Sequence, residues 1–338
     1  MNLSKSKKVL RLIMVASSAM ITLSSCGNEP VAETAPTPTA NSGRTFTELR
    51  VKTTTQQPVN SGKTLTPQPV NSGRTFADWC REKASLSPET KHTVEVLLQK
   101  AETTDCDAAN QKLSALTTLY LNTNKISDIT PLQGLTNLTK IWLFSNKISD
   151  ITPLQGMTNL KILSLSFNKI SDITPLQGLT KLNWLDLQNN KISDITPLQG
   201  LTKLESLNLQ NNKISDITPL QGLTKLTQIF LDNNNFSDIT PLQGLTKLTW
   251  LFLYDNKISD ITPLQGLTNL EILSLDSNKI SDIKPLQGLT KLTWLKLSFN
   301  KISDITPLQG MTNLNEVRLS GNPIDPQTCP LKPDICKW

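Results

Sequence analysis

The chain repeats one phrase every 22 residues, first as Leu116-Thr-Thr-Leu119-Tyr-Leu121-Asn-Thr-Asn124-Lys125-Ile126-Ser-Asp128-Ile129-Thr-Pro131-Leu132-Gln-Gly134. Ten asparagines follow this period without a gap from Asn124 to Asn322. A fixed period of this length is typical of a solenoid, in which each copy is one structural unit that stacks on the next.

The first half of the phrase has the pattern L-x-x-L-x-L-x-x-N, which is that of the leucine-rich repeat. With I-S-D-I-T-P-L-x-G-L-T-x-L after it, the chain resembles the short bacterial repeats of the internalin family. The resemblance covers about residues 113–322. It implies an α/β solenoid, a leucine-rich repeat horseshoe with a parallel β-sheet on its concave face and short 3₁₀ turns on its convex face. It also implies attachment to a surface protein of another cell.

Each copy supplies apolar side chains that 22 residues alone cannot bury, so stacked copies share one core. The alternation Leu119-Tyr120-Leu121 predicts a short strand, and neighbouring copies would pair these strands in parallel about 4.8 Å apart. Asn124 is expected to satisfy the backbone where the chain turns inward, because an amide both donates and accepts. Asp128 is placed to cap a 3₁₀ turn that has Pro131 first, and Gly134 would leave this turn with positive φ.

The copies differ mainly at strand positions whose side chains point away from the core. Of 8 Phe, 6 Trp and 2 Tyr, eleven residues lie on this face, whereas Phe236 replaces a core isoleucine. Large exposed rings are unusual unless a partner covers them, although strands also favour aromatic residues in general. The residues predicted to contact a partner are Tyr120, Trp142, Phe144, Phe167, Trp184, Phe230, Asp232, Trp250, Phe252, Tyr254, Asp255, Asp276, Trp294 and Phe299.

These residues form two predicted clusters. The first contains Tyr120, Trp142, Phe144 and Phe167, and the second contains Phe230, Trp250, Phe252 and Tyr254 with a rim of Asp232, Asp255 and Asp276. An acidic rim around an aromatic centre suits a partner with Lys or Arg at its edge. Calcium is an alternative ligand for the carboxylates, although nothing resembles an EF-hand loop. Ten strands span roughly 45 Å, which fits a protein or a long glycan better than a small molecule.

The start of the chain has the features of an export signal over residues 1–25, with a basic beginning and an apolar stretch to Leu23. That stretch is too short for a convincing membrane span. The sequence Leu23-Ser24-Ser25-Cys26 resembles the lipobox of bacterial lipoproteins, and by that resemblance Cys26 would carry diacylglycerol. Ordinary secretion with an incidental Cys26 is the alternative. The expected location is the bacterial cell envelope, with the chain lipid-anchored at the membrane or cell surface.

Four further segments follow the signal. Residues 26–76 are rich in Thr, Pro, Ser and Asn, which predicts a disordered linker with a reach of roughly 40–50 Å. Residues 77–112 are expected to form a helical N-terminal cap, because Ser87-Pro88-Glu89 can open a helix with apolar Val94, Leu97, Leu98 and Ala101. Ten leucine-rich repeats occupy 113–322, and 323–338 form a C-terminal cap.

Four cysteines lie in the caps. They predict two disulfides, one from Cys80 and Cys106 and one from Cys329 and Cys336, since disulfides persist in exported chains. Metal binding by the C-terminal pair is the alternative, but two thiolates are too few for a structural zinc site.

No set of residues predicts catalysis. His92 is the single histidine and is expected to be a solvated residue of the cap helix. There is no Ser-His-Asp set, phosphate loop or metal-ligand cluster, so we expect no enzyme, cofactor or metal. A net charge of +6 without a basic stripe between the aromatics argues against nucleic acid.

The sequence therefore favours a monomeric, lipid-anchored recognition or adhesion protein. It would bind a protein partner through the aromatic-rich concave face. The alternatives are a glycan-binding surface protein, in which the Trp residues stack on sugars, and a structural envelope spacer without a partner.

Overall fold

The computed structural model of the chain describes residues 73–338. The predicted signal peptide, Cys26 and the linker up to residue 72 lie outside the described residues. Three helices come first in the described part of the chain: α1 Phe76–Arg81, α2 Pro88–Ala101 and α3 Cys106–Ala115. No helix within residues 73–338 has the length and apolar character needed to cross a bilayer.

One parallel sheet follows, with its strands side by side in chain order. Equivalent residues of successive repeats pair in register, so that Leu119 pairs with Ile141 and Ile141 with Leu163. This sheet confirms the predicted solenoid. The strands are β1 Thr118–Tyr120, β2 Lys140–Trp142, β3 Ile162–Ser164, β4 Trp184–Asp186, β5 Ser206–Asn208, β6 Gln228–Phe230, β7 Trp250–Phe252, β8 Ile272–Ser274, β9 Trp294–Lys296, β10 Glu316–Arg318 and β11 Cys336–Lys337.

The repeated asparagine satisfies the backbone where each strand ends, as predicted. Asn234 donates from Nδ2 to the carbonyl oxygens of Leu209 and Leu231, both at 3.0 Å. Its Oδ1 accepts the N–H of Ile214 in the preceding repeat at 3.0 Å. One side chain therefore holds two neighbouring coils together, and the buried backbone groups at this turn have partners.

Nine 3₁₀ turns run along the opposite side of the solenoid. In the repeat that contains β6, the Thr240 N–H donates to Asp238 Oδ1 at 2.8 Å, which confirms the aspartate cap. Donation by the Thr240 hydroxyl and N–H holds the pKa of the Asp238 carboxyl below its usual value. The proline occupies the second position of each turn rather than the first. The turns are Thr130–Leu132, Thr152–Leu154, Thr174–Leu176, Thr196–Leu198, Thr218–Leu220, Thr240–Leu242, Thr262–Leu264, Lys284–Leu286 and Thr306–Leu308.

The core is a continuous column of Leu and Ile side chains between the sheet and the 3₁₀ turns. Phe236 takes an isoleucine position in this column and is fully buried, as predicted. Beside it, Asn256 Oδ1 is buried and has no hydrogen-bond partner among residues 73–338. The larger ring thus coincides with the loss of one bond from the asparagine column.

The N-terminal cap is larger than the single predicted helix. Helix α2 begins after Ser87, whose Oγ accepts the Thr90 N–H at 3.2 Å, as the Ser-Pro-Glu signal predicts. Helices α1 and α3 were not predicted. His92 is not a freely solvated residue, because its Nε2 lies 2.6 Å from the carbonyl oxygen of Asn124. This hydrogen bond joins the cap to the first repeat.

Both predicted disulfides are present, Cys80–Cys106 and Cys329–Cys336. The first joins α1 to the start of α3. The second holds β11, an eleventh strand that the repeat pattern did not predict. Val317 and Leu319 donate their N–H groups to Ile335 O at 2.9 Å and Lys337 O at 2.7 Å, so this short strand pairs with the last repeat.

Candidate binding surface on the strand face

The side chains of β1 to β10 alternate between the core and one outer surface, which we call the strand face. Within each strand the middle residue is buried in the core, as for Leu119, Ile141 and Leu163. The first and third residues therefore point outward, and these are the positions at which the repeats differ. The strand face thus collects the side chains that do not repeat.

The first aromatic group on this face is Tyr120, Trp142 and Trp184. The rings of Tyr120 and Trp142 are stacked with centroids 6.3 Å apart, and those of Trp142 and Trp184 are tilted with centroids 5.3 Å apart. Ser164 lies between Trp142 and Asp186 in the strand register and is only 1% exposed. The predicted cluster had Phe144 and Phe167 in place of Trp184, and neither is among the ring pairs of the described chain.

Phe167 and Phe299 lie in the turn after their strands. Their φ values are +56° and +57°, in the left-handed region that bulky residues rarely adopt. Asp255 occupies the equivalent turn with φ +52°. Phe299 is 63% exposed, and a Cβ added to Gly321 would lie 2.6 Å from its ring. These residues border the sheet instead of forming part of its outward rows.

The second aromatic group is centred on Phe230 and Phe252, whose rings are stacked with centroids 5.0 Å apart. Tyr254, two residues after Phe252, is exposed, and so is Trp294, two strands further along the sheet. Trp250 was expected to present its ring to a partner, but it is only 6% exposed. Its register partners Gln228 and Ile272 flank it on both sides, so the ring is largely covered by its neighbours.

The predicted acidic rim is wrong for two of its three carboxylates, because Asp232 and Asp276 are not exposed around the aromatic rings. Asp232 is 7% exposed, accepts the Tyr254 N–H at 2.7 Å and accepts a hydrogen bond from the Gln210 amide. Burial raises the pKa of Asp232 to about 6. Asp276 accepts the Ser298 N–H at 2.7 Å, and burial raises the pKa of its carboxyl as well. Both carboxylates support the backbone of the next repeat, and only Asp255 is exposed.

One carboxylate on the strand face was missed by the sequence prediction. Asp186 accepts the Gln188 N–H at 3.2 Å, and the Ser164 hydroxyl lies 3.4 Å from its Oδ2. Burial raises the pKa of the Asp186 carboxyl. The signal that could have found it is an aspartate two repeats after Trp142 in the same column, with a small serine between them.

The described part of the chain also contains no metal-binding cluster. Within residues 73–338 no three His, Cys, Asp or Glu side chains are arranged to hold a metal ion. The strand face therefore combines aromatic rings, small polar residues and partly buried carboxylates. This arrangement suits contact with another molecule.

The chain belongs to the leucine-rich repeat family. The family described as Leucine Rich repeats (2 copies) matches residues 114–156, 136–178, 158–200, 180–222, 202–244 and 246–288, and a second leucine-rich repeat family matches 268–324. No curated protein matches the sequence significantly.

Among solved structures, the chain is similar to an internalin C2 from Listeria monocytogenes. The two are 32% identical, the match covers 67% of this chain and 91% of that one, and the TM-score is 0.54. A leucine-rich repeat protein of Leptospira interrogans is 26% identical over 65% of this chain and 70% of its own, with a TM-score of 0.52. The functional domain of internalin J, at 24% identity, 74% and 57% coverage and a TM-score of 0.56, shows the fold alone.

Proposed function

We propose that this chain is a non-enzymatic surface recognition or adhesion protein that binds a protein partner through its strand face. The observation that carries this proposal is the contrast between two sets of side chains. Core residues, asparagines and turn residues repeat almost unchanged, whereas the outward strand positions differ from repeat to repeat. Folding alone gives no reason for this difference, because any side chain that tolerates a strand would serve there.

The size and composition of the face support a protein as the partner. Ten strands span roughly 45 Å at the spacing of a sheet, which is comparable to a standard protein interface. Tyr120 is 56% exposed, and Phe230 and Phe252 are half-buried. Rings of this kind commonly act as anchors at the centre of an interface. Leucine-rich repeat solenoids commonly use such extended surfaces for binding.

The repeats themselves supply the test variants. Phe230→Asn and Phe252→Ser introduce the residues that adjacent repeats already carry at the same position, Asn208 and Ser274. The combined variant should therefore fold while losing the stacked ring pair. Gln199→Ala, an exposed change beside a 3₁₀ turn, is the matched control on the opposite side.

The experiment immobilises the full chain and captures proteins from the surface extracts of neighbouring cells, with a glycan array in parallel. We expect one protein to be retained by the parent chain and by Gln199→Ala, and to be lost with Phe230→Asn/Phe252→Ser. Equal retention by all three forms would show that the strand face is not the site. Specific glycan binding with no protein captured would favour the glycan-binding alternative.

We also propose that the chain is exported and lipid-anchored at Cys26. The support is the lipobox-like Leu23-Ser24-Ser25-Cys26 and the two disulfides, which suit an oxidising compartment. Mass spectrometry of the mature chain should find diacylglycerol on an N-terminal Cys26. Release of an unmodified chain into the medium would contradict this.

A further inference from the structure

Three carboxylates of the strand face lie at least partly buried, but they differ in their surroundings. The positive charge of Lys296 lowers the pKa of both Asp232 and Asp276, and that of Arg318 also lowers the pKa of Asp276. Asp186 has no such neighbour. Within residues 73–338, no lysine or arginine forms an ion pair with Asp186, and none contributes to the shift of its pKa.

Asp186 has only long hydrogen bonds to neutral groups, which stabilise its ionised form less than a cation would. Its partners are the Gln188 N–H at 3.2 Å and the Ser164 hydroxyl at 3.4 Å, together with Ser166. A carboxylate taken out of water without a cation costs free energy that two hydroxyls and one amide recover only in part. A cation brought by another molecule would recover more.

Two tryptophan rings stand beside this carboxylate. Trp142 and Asp186 lie on either side of Ser164 in one row across β2, β3 and β4. Trp184, on the same strand as Asp186, brings its ring to 5.3 Å from that of Trp142, across the intervening strand. The Trp142 indole Nε1 is buried and has no hydrogen-bond partner within residues 73–338. The rings therefore meet above a row that contains Ser164 and ends at the Asp186 carboxyl.

We propose that Trp142, Trp184 and Asp186 form a subsite that receives an arginine side chain of the protein partner. Resting on the proposed function, this assigns the chemistry of one contact on the strand face. A guanidinium stacks on aromatic faces and donates to a carboxylate at the same time, which an ammonium does less well. Lys296 lies close enough to Asp232 and Asp276 to offset part of the rise in pKa that burial causes there, whereas no lysine or arginine does so at Asp186.

The test uses the full chain labelled with ¹⁵N in its 6 Trp residues and follows the indole N–H signals by NMR. The probe is acetyl-Gly-Arg-Gly-amide, and its neutral isostere acetyl-Gly-citrulline-Gly-amide is the matched control ligand. The arginine peptide should shift the Trp142 and Trp184 signals saturably, and added salt should weaken it. Asp186→Asn should weaken this binding roughly tenfold, as loss of a charge pair beside aromatic rings predicts.

Asp276→Asn is the matched control variant, because that carboxylate has Lys296 and Arg318 nearby, and it should leave the affinity unchanged. Unchanged positions of the other indole signals show that each variant is folded. Equal shifts with the citrulline peptide, or full affinity in Asp186→Asn, would overturn the subsite. If a captured partner needs Phe230 and Phe252 but binds Asp186→Asn normally, the subsite is wrong while the proposed function stands.

Discussion

At the scale of single residues, the strand face contains one carboxylate, Asp232, whose ionised form is costly in the folded chain although it accepts hydrogen bonds there. Asp232 is nearly buried and its pKa is raised to about 6 from 3.8, mainly by desolvation. Between these two pH values the folded chain holds a proton that the unfolded chain has released. The free energy of unfolding therefore falls as pH rises through this window, and the penalty is fully present above pH 6.

The first prediction concerns Asp232→Asn. An amide can still accept the Tyr254 N–H, and Gln210 can turn its own amide to match. The variant should be more stable than the parent by about 1–3 kcal/mol at pH 7, and the difference should vanish near pH 4. Urea unfolding at both pH values measures this. The exposed Asp255→Asn is the control, and a gain in stability that is independent of pH would show that the charge of Asp232 is not its cause.

Residue-level burial is what the sequence could not predict. The alternation of each strand correctly places Trp250 and Asp232 on the outer side of the sheet. Whether they meet a partner or their neighbours depends on which side chains stand in the adjacent repeats. For Trp250 these are Gln228 and Ile272, and for Asp232 the Gln210 amide and Tyr254 N–H. Cover of this kind arises from packing between coils, and the pattern of one repeat does not contain it.

At the scale of the repeated element, the asparagine column allows a comparison within the chain. Asn234 donates to three carbonyl oxygens, those of Leu209, Leu231 and Asp232, and accepts the Ile214 N–H. Asn256 makes the three equivalent donations, but its Oδ1 has no partner among the described residues. The two side chains thus differ by one accepted hydrogen bond.

The second prediction follows from that difference. Both Asn234→Ala and Asn256→Ala should destabilise the chain, because each leaves buried carbonyl groups without a donor. Asn234→Ala should cost about 1 kcal/mol more, since only this change also removes the acceptor of a buried N–H. Denaturant unfolding of the two variants measures the difference. Equal costs would mean that the acceptor contributes nothing.

The third prediction concerns strand β11 and its disulfide. In a solenoid each coil contacts only its neighbours, so destabilising the last coil should not increase local unfolding in the central repeats. Replacing Cys329 and Cys336 by Ser should increase hydrogen exchange at the Val317 and Leu319 amides, which β11 and its flank protect. The Leu187 amide, which donates to Asn208 O at 2.8 Å, should be unaffected. Faster exchange along the whole sheet would contradict this local behaviour.

Elements that belong to the repeat were predictable from the sequence, and those in the two caps mostly were not. The strands, the asparagine column and the aspartate caps recur nine or ten times, so each copy confirms the others. Helix α2 was predictable from its own Ser-Pro-Glu start. Helices α1 and α3 lie where no periodicity points to them. Strand β11 is Cys336–Lys337 only, too short to have a pattern, and it pairs because the chain returns to the edge of β10.

At the scale of the whole molecule, the solenoid separates its structural residues from its variable ones. Leucines, isoleucines and asparagines build every coil in the same way, so a change in an outward side chain on one strand leaves the core of the others unchanged. Such a scaffold can acquire a binding surface without altering its fold. The strand face, with Tyr120, Phe230, Phe252 and Trp294 at least partly accessible, is where this chain has done so in our proposal.

The most direct test is a side-chain footprint of the full chain with and without its captured partner, using a photoactivated carbene label and mass spectrometry. We expect lower labelling of Tyr120, Phe252 and Trp294 in the complex. Labelling of Gln199 and of the exposed lysines beside the 3₁₀ turns should stay unchanged. Protection confined to those turns, with Tyr120, Phe252 and Trp294 labelled as in the free chain, would contradict the claim that the strand face binds the partner.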